Sequence, residues 1–228
     1  MLKHVATVAV VALAFAGVAS AQVPPTAGEI AAYRGLLAAA AKGDVVTIRM
    51  LAAQGSKLDV RDAKGRTPLL VAAFARQHDA MRALAAAGAD PNALDADRYD
   101  MVTIAAVADD LPTLTVALEL GNKATNVTSR YDGTALIAAA HLGHADVVRK
   151  LVAAGAPLDH VNNLGWTAVI ESIVLGDGGP RHLATLAALI EGGANVNIAD
   201  RQGTTPLALA QAKGYGEMAH MIEAAGGR

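Results

Sequence analysis

No cysteine occurs among the 228 residues, which excludes disulfide staples, thiolate metal ligands and thiol nucleophiles. Aromatic residues amount to only 3%, so the core must be built from smaller side chains. Neither sign of charge dominates, with 19 Lys+Arg against 21 Asp+Glu, and this argues against a nucleic-acid-binding protein, which needs a basic stripe. What the sequence has in abundance is aliphatic: 53% of it is hydrophobic and about a quarter is alanine. Cores of such small residues belong to helices that approach one another closely.

The longest apolar run lies at the N-terminus. Lys3 and His4 precede Val5 to Val18, and Ala19-Ser20-Ala21 follows, the order of a charged region, an apolar region and a small-residue cleavage site. The run is about 14 residues, short of the roughly 20 that a spanning helix needs. Residues 1–21 therefore read as a signal peptide cleaved between Ala21 and Gln22, which sends a mature chain without a membrane span to the periplasm or outside the cell. An uncleaved anchor is the other reading. Pro24-Pro25 make a stiff lead-in over residues 22–29.

From there to the C-terminus the chain repeats. Glycines close apolar helical stretches at Gly55, Gly88, Gly121, Gly155, Gly193 and Gly226, spaced 33, 33, 34, 38 and 33. Candidate helix N-caps fall at Thr67, Asp100, Thr134, Thr167 and Thr205, spaced 33, 34, 33 and 38. Two separate landmarks keep one period. The glycines suit the left-handed residue after a helix, the Thr and Asp side chains accept from free N–H groups of the next helix, and Pro68 and Pro206 suit the first helical turn. Each unit reads as a short helix, a tight turn at Gly43, Gly143 or Gly214, a longer helix, and a polar hairpin-like finger. One unit cannot close a core, so neighbours stack, burying Leu69, Val102, Leu136, Val169 and Leu207 of the first helices and Leu84, Leu118, Leu151 and Leu189 of the second. The expected fold is an all-α solenoid of about six helix-turn-helix repeats.

Gly65-Arg66-Thr67-Pro68-Leu69 and Gly203-Thr204-Thr205-Pro206-Leu207 resemble the G-x-T-P-L opening of ankyrin repeats, and Gly193-Ala194-Asn195-Val196-Asn197 resembles their G-A-D-V-N close. The likeness covers residues 30–228, with repeat edges near 30–61, 62–94, 95–128, 129–161, 162–199 and 200–228. From Tyr131 to Pro206 the chain is similar to exported bacterial ankyrin-repeat proteins. The resemblance implies a non-catalytic solenoid that binds a protein partner through its concave face and fingers, with no cofactor. Two departures stand out. The histidine of T-P-L-H is replaced throughout, and the third unit carries Asp100-Met101 for Thr-Pro and Asp109-Asp110 for Gly-His, which marks it as the weakest repeat.

Several residues invite a functional reading. Tyr33, Arg66, Tyr99 and Trp166 each stand one place before a helix-opening position, with Tyr131 two residues from that row. Arg66, Tyr99, Tyr131 and Trp166 are therefore candidate partner contacts, since aromatic and arginine side chains anchor interfaces; rings that merely cover the neighbouring finger are the alternative. The unit stretched to 38 residues contains the turn 176–182, where Asp177, Arg181 and His182 offer a small-ligand or anion site; a turn braced by its own ion pairs is the alternative. His141, His144 and Asp146 have a spacing that admits a metal, but Gly143-His144 matches the ankyrin interhelical turn and no metal site is assigned. Asp95, Asp97 and Asp100 imitate a calcium loop without its Gly and Glu. Asn126-Val127-Thr128 is a formal glycosylation sequon. No catalytic residues are assigned.

Overall fold

A short helix, α1 (Ala27–Ala32), opens the residues that the computed structural model describes, 22–228; the leader read at residues 1–21 lies outside them. Thr26 and Glu29 cap α1 reciprocally, each side chain accepting from the other's backbone N–H, at 2.7 and 3.2 Å. Helix α1 thus begins inside the segment expected to be a lead-in.

Six helix pairs follow: α2 (Gly35–Lys42) with α3 (Val45–Ala53), α4 (Pro68–Phe74) with α5 (His78–Ala86), and α6 (Met101–Val107) with α7 (Leu111–Glu119). Then come α8 (Ala135–Leu142) with α9 (Ala145–Ala153), α10 (Ala168–Val174) with α11 (Pro180–Glu191), and α12 (Pro206–Ala212) with α13 (Gly216–Ala224). Even-numbered helices pack on even and odd on odd, giving an inner row and an outer row. Among the described residues no helix is long and apolar enough to cross a membrane.

The landmarks read from sequence act as expected. Thr67, Asp100, Thr134, Thr167 and Thr205 are N-caps of α4, α6, α8, α10 and α12, each side chain accepting from the N–H three residues on. The six period-closing glycines all take positive φ. Leu69, Val102, Leu136 and Val169 are buried, as are Leu84, Leu151 and Leu189. Leu207, in the last described helix pair, is only partly covered, and Leu118 stands one residue out of phase, the place of Leu84, Leu151 and Leu189 being taken in α7 by the fully buried Ala117.

Four of the fingers are hairpins closed by an acid or amide, whereas the finger of the fourth unit uses the Ser129 hydroxyl, which accepts from Tyr131 N–H at 3.3 Å. Asp62, Asp95, Asn162 and Asp200 stand four residues before Arg66, Tyr99, Trp166 and Thr204. Each Oδ1 accepts two backbone N–H groups, from two and four residues on, at 2.8–3.0 Å. Successive fingers are stitched by single backbone bonds such as Ala96 N–H to Lys64 O and Asn163 N–H to Tyr131 O, both 2.9 Å. Two-residue strands β1 (Val127–Thr128) and β2 (Gly133–Thr134) pair antiparallel, Val127 opposite Thr134.

The five residues that lengthen the fifth unit were expected in its interhelical turn, but the turn takes only part of them. Helix α11 has 12 residues against 9 in α9, so the insertion is shared between the turn and the outer helix. The turn's glycines answer to packing. A Cβ on Gly178, at φ +71°, would stand 2.5 Å from the Tyr215 ring, and the Tyr215 hydroxyl donates to Gly176 O at 3.0 Å.

Candidate functional site

A concavity of about 720 Å³ lies near the N-terminal end of the described solenoid around Leu36, Leu37, Leu51 and Val60. Its described lining comes from α1 and the first repeat with its finger alone. A cleft of about 140 Å³ on the inner face is built differently, from groups that converge out of three repeats. Helices α6, α8 and α10 contribute Val107, Ile137, His141 and Glu171; the fingers contribute Tyr99, Ser129, Tyr131 and Asn162.

Glu171 is the chemical centre of this cleft. It sits on α10 with 5% of its surface exposed, and Oε1 accepts from Asn162 Nδ2 at 2.9 Å. Asn162 is available for this because its own Oδ1 is taken by the finger N–H groups, which fixes the amide with its nitrogen toward α10. Burial pushes the Glu171 carboxyl up to about 7, against the downward pull of Asn162. His141 Nδ1 stands 3.4 Å from Glu171 Oε2. Burial, and then the nearby His182, hold the His141 imidazole below its ordinary value.

The four expected contact residues separate into two groups. Tyr99 and Tyr131 do line the cleft; Tyr99 is half-buried and Tyr131 is 42% exposed. Trp166 is half-buried one repeat on, outside the cleft lining. Arg66 must be corrected: it is 1% exposed and not available as a surface contact. Its Nε donates to Asp62 Oδ2 at 2.6 Å, Nη2 to Glu29 Oε1 at 2.6 Å and Nη1 to Val23 O at 3.0 Å. The Tyr33 hydroxyl donates to the same Asp62 oxygen at 2.6 Å. This network fastens α1 and the preceding extended segment to the second repeat. That segment then runs along the inner face: Pro24 meets α4 and α6, and Gln22 reaches the cleft. The expected stiff lead-in is thus a strap.

The turn 176–182 does not assemble an anion site. Asp177 Oδ1 accepts from Gly179 N–H and lies 2.9 Å from His182 Nδ1, whose Nε2 lies 2.9 Å from His141 O. Arg181 points away, to Asp109 at 3.7 Å. Asp177 and His182 are thus engaged in shaping the turn, and among the described residues no lysine or arginine pairs with them there.

The other candidates are likewise engaged. His144 Nδ1 lies 2.9 Å from Ala106 O, linking two repeats as the interhelical turn requires, while His141 faces Glu171. Asp95 closes a finger, Asp97 pairs with Arg130 at 3.1 Å, and Asp100 caps α6. Asn126 donates to Asn92 and Asp100, both at 2.9 Å.

The comparisons with known proteins agree with this architecture. The family of ankyrin repeats, as three copies, matches residues 27–95 and 102–200. The ankyrin repeat protein YahD of Escherichia coli (strain K12) is 34% identical over 191 residues, covering 83% of this chain and 94% of its own length. The crystal structure of an ankyrin repeat domain from Acinetobacter baumannii AYE superposes with a TM-score of 0.79 at 41% identity, covering 85% of this chain and 98% of that one. The ankyrin repeat protein EF0377 follows with a TM-score of 0.76 at 30% identity, over 84% and 98% of the two chains. With the period, the caps and the stacked helix pairs all in place, the chain belongs to the ankyrin repeat family.

Proposed function

We propose that this chain is a non-catalytic scaffold of the bacterial periplasm that holds a protein partner on its concave face and fingers. Ankyrin repeats mediate protein–protein interaction. The observation that carries the reading here is the inner-face cleft, where the exposed Tyr131 and the half-buried Tyr99 flank groups from three repeats. An aromatic anchor beside a partly desolvated pocket is the usual anatomy of a binding hot spot. The export half of the reading rests on the leader pattern of residues 1–21.

Crosslinked affinity capture from the periplasmic fraction tests both halves. Wild type should retain a partner that Tyr131→Ala loses, while Val46→Ser, a change at a 79% exposed position on outer helix α3, should retain it. Recovery of the protein in the cytoplasm with residues 1–21 still attached would overturn the location. Equal capture by wild type and Tyr131→Ala would overturn the surface.

A further inference from the structure

We infer that the Glu171 cleft is a receptor for a primary ammonium or guanidinium group, presented as the lysine or arginine side chain of a bound protein. The partner rests on the scaffold reading above; the chemistry of the cleft does not.

The other buried acids with short partners fall into two kinds, those paired with arginine and one satisfied by amides and hydroxyls. Asp62 carries Arg66 at 2.6 Å and Asp110 carries Arg76 at 2.9 Å. Asp100 has no arginine but accepts from Thr103 N–H, the Thr103 hydroxyl and the amides of Asn122 and Asn126, at 2.7–2.9 Å. Glu171 is the exception. Its side chain is 6% exposed, yet it has one full hydrogen bond, from Asn162, and an imidazole at 3.4 Å. An ionised carboxylate offers about four acceptor sites, and a buried one without a cation is strongly disfavoured. The acid therefore has acceptor capacity to spare, in a cleft where no lysine or arginine stands among the described lining residues.

Three further features fit a cation. The cleft walls include two tyrosine rings, and ring faces attract cations. Its volume of about 140 Å³ suits the end of one side chain and not a helix. Gln22, the strap residue at the cleft, leaves its Nε2 buried without an acceptor, so the strap covers the place without satisfying it. A cation on Glu171 that displaced Gln22 would give the acid a counter-charge and return the amide to water.

The titratable groups around the acid are few. His141 faces it from α8, and His182 on α11 stands behind His141; Tyr99 and Tyr131 are in the fingers. Helix α12, packed on the other side of α10, carries no titratable side chain. Cation binding accordingly requires the Glu171 carboxylate and releases its proton where it was protonated.

NMR titration of the purified protein with n-butylammonium, ethylguanidinium, neutral n-pentanol and a capped pentapeptide bearing a central lysine tests this. The cations should give saturable shifts at Tyr131, His141 and Glu171, and pentanol none. Binding should weaken about tenfold per pH unit once the pH falls below that of Glu171 titration. Glu171→Gln should bind the cations at least about tenfold more weakly. An equal response to pentanol, a flat pH profile, or unchanged binding by a folded Glu171→Gln would each overturn the inference. The alcohol comparison and the pH profile use only wild type, so the test survives a variant that fails to fold. A peptide that binds more tightly than butylammonium supports a protein side chain as the source. The reverse order overturns that source and leaves a free amine as the ligand of the same site. Partner capture that depends on Tyr131 without any cation response would sink this inference and leave the scaffold standing. A cation response without any captured partner would do the opposite.

Discussion

His141 Nδ1 and Glu171 Oε2, on the adjacent inner helices α8 and α10, stand 3.4 Å apart in a cleft where burial moves their pKa values toward each other. The carboxyl rises from 4.5 to about 7, and the imidazole falls below 6.5. Both groups are thereby biased to their uncharged forms.

The stability consequence has a definite sign. An acid whose folded pKa is raised holds a proton in the native state that the unfolded chain has already lost. Stability therefore falls as the pH rises from 4.5 to about 7, and the loss is complete above that. Its size is about 3 kcal/mol, at about 1.4 kcal/mol per pH unit. His141 acts oppositely, its contribution being lost as the pH falls below 6.5. Glu171→Gln keeps an acceptor for Asn162 and the histidine but removes the acid. Urea midpoints across this range should show the variant gaining on wild type with rising pH, by about 3 kcal/mol at mildly alkaline pH. A constant difference at all pH values would refute the assignment.

Arg98 and Asp132 form an exposed ion pair at 2.9 Å, and both sit at positive φ, 66° and 50°. They occupy the finger position held by Gly65, Gly165 and Gly203 in other repeats, all of them also at positive φ. A non-glycine residue there costs on the order of 1–3 kcal/mol, whereas an exposed pair contributes about 0–1 kcal/mol. Arg98→Gly should therefore stabilise by about 1 kcal/mol despite losing the bridge, read as a higher urea midpoint with an unchanged slope.

How much of this was visible in the residues depends on distance along the chain. Thr67, Gly55 and their equivalents act through the next few backbone groups, so type and spacing suffice to place them. Arg66 shares the phase of Tyr99 and Trp166, but phase says where a residue lies in the repeat and not what arrives from outside it; Glu29 and Val23 reach Arg66 across 37 and 43 residues. The finger-closing row of Asp62, Asp95, Asn162 and Asp200 was detectable, since it keeps the same period four residues ahead of that phase. Glu171 was not. Its setting depends on His141, 30 positions back, and on an amide whose orientation is fixed by finger bonds, and no local motif encodes either.

Arg66 is a test of burial against surface. If the guanidinium fastens α1 and the strap, Arg66→Ala leaves Asp62 and Glu29 without their cation and should cost about 3–5 kcal/mol. Arg66→Lys should recover little, because one ammonium cannot span three separate acceptors. Hydrogen exchange should show protection lost first over residues 26–33. A variant as stable as wild type would mean that the guanidinium does not fasten α1 and the strap.

Asp100 offsets the first of the two departures that mark the third unit as the weakest. The aspartate that stands where other repeats have threonine holds Thr103 N–H and hydroxyl on Oδ1, and Asn122 and Asn126 on Oδ2. Asn122 in turn accepts from Val102 N–H at 2.7 Å, pinning the first turn of α6 to the loop beyond α7. Asp110 caps α7 and pairs with Arg76, so the second departure is compensated as well. Replacing Asp100 by Thr, the residue that the repeat pattern favours, would keep the cap but leave two amide nitrogens short of an acceptor. An unsatisfied buried donor costs about 1–3 kcal/mol. Asp100→Thr should therefore destabilise by about 2 kcal/mol or more, and the Asn122→Ala/Asp100→Thr pair should be markedly less than additive. A neutral or stabilising Asp100→Thr would mean that the third repeat is held by its apolar core alone.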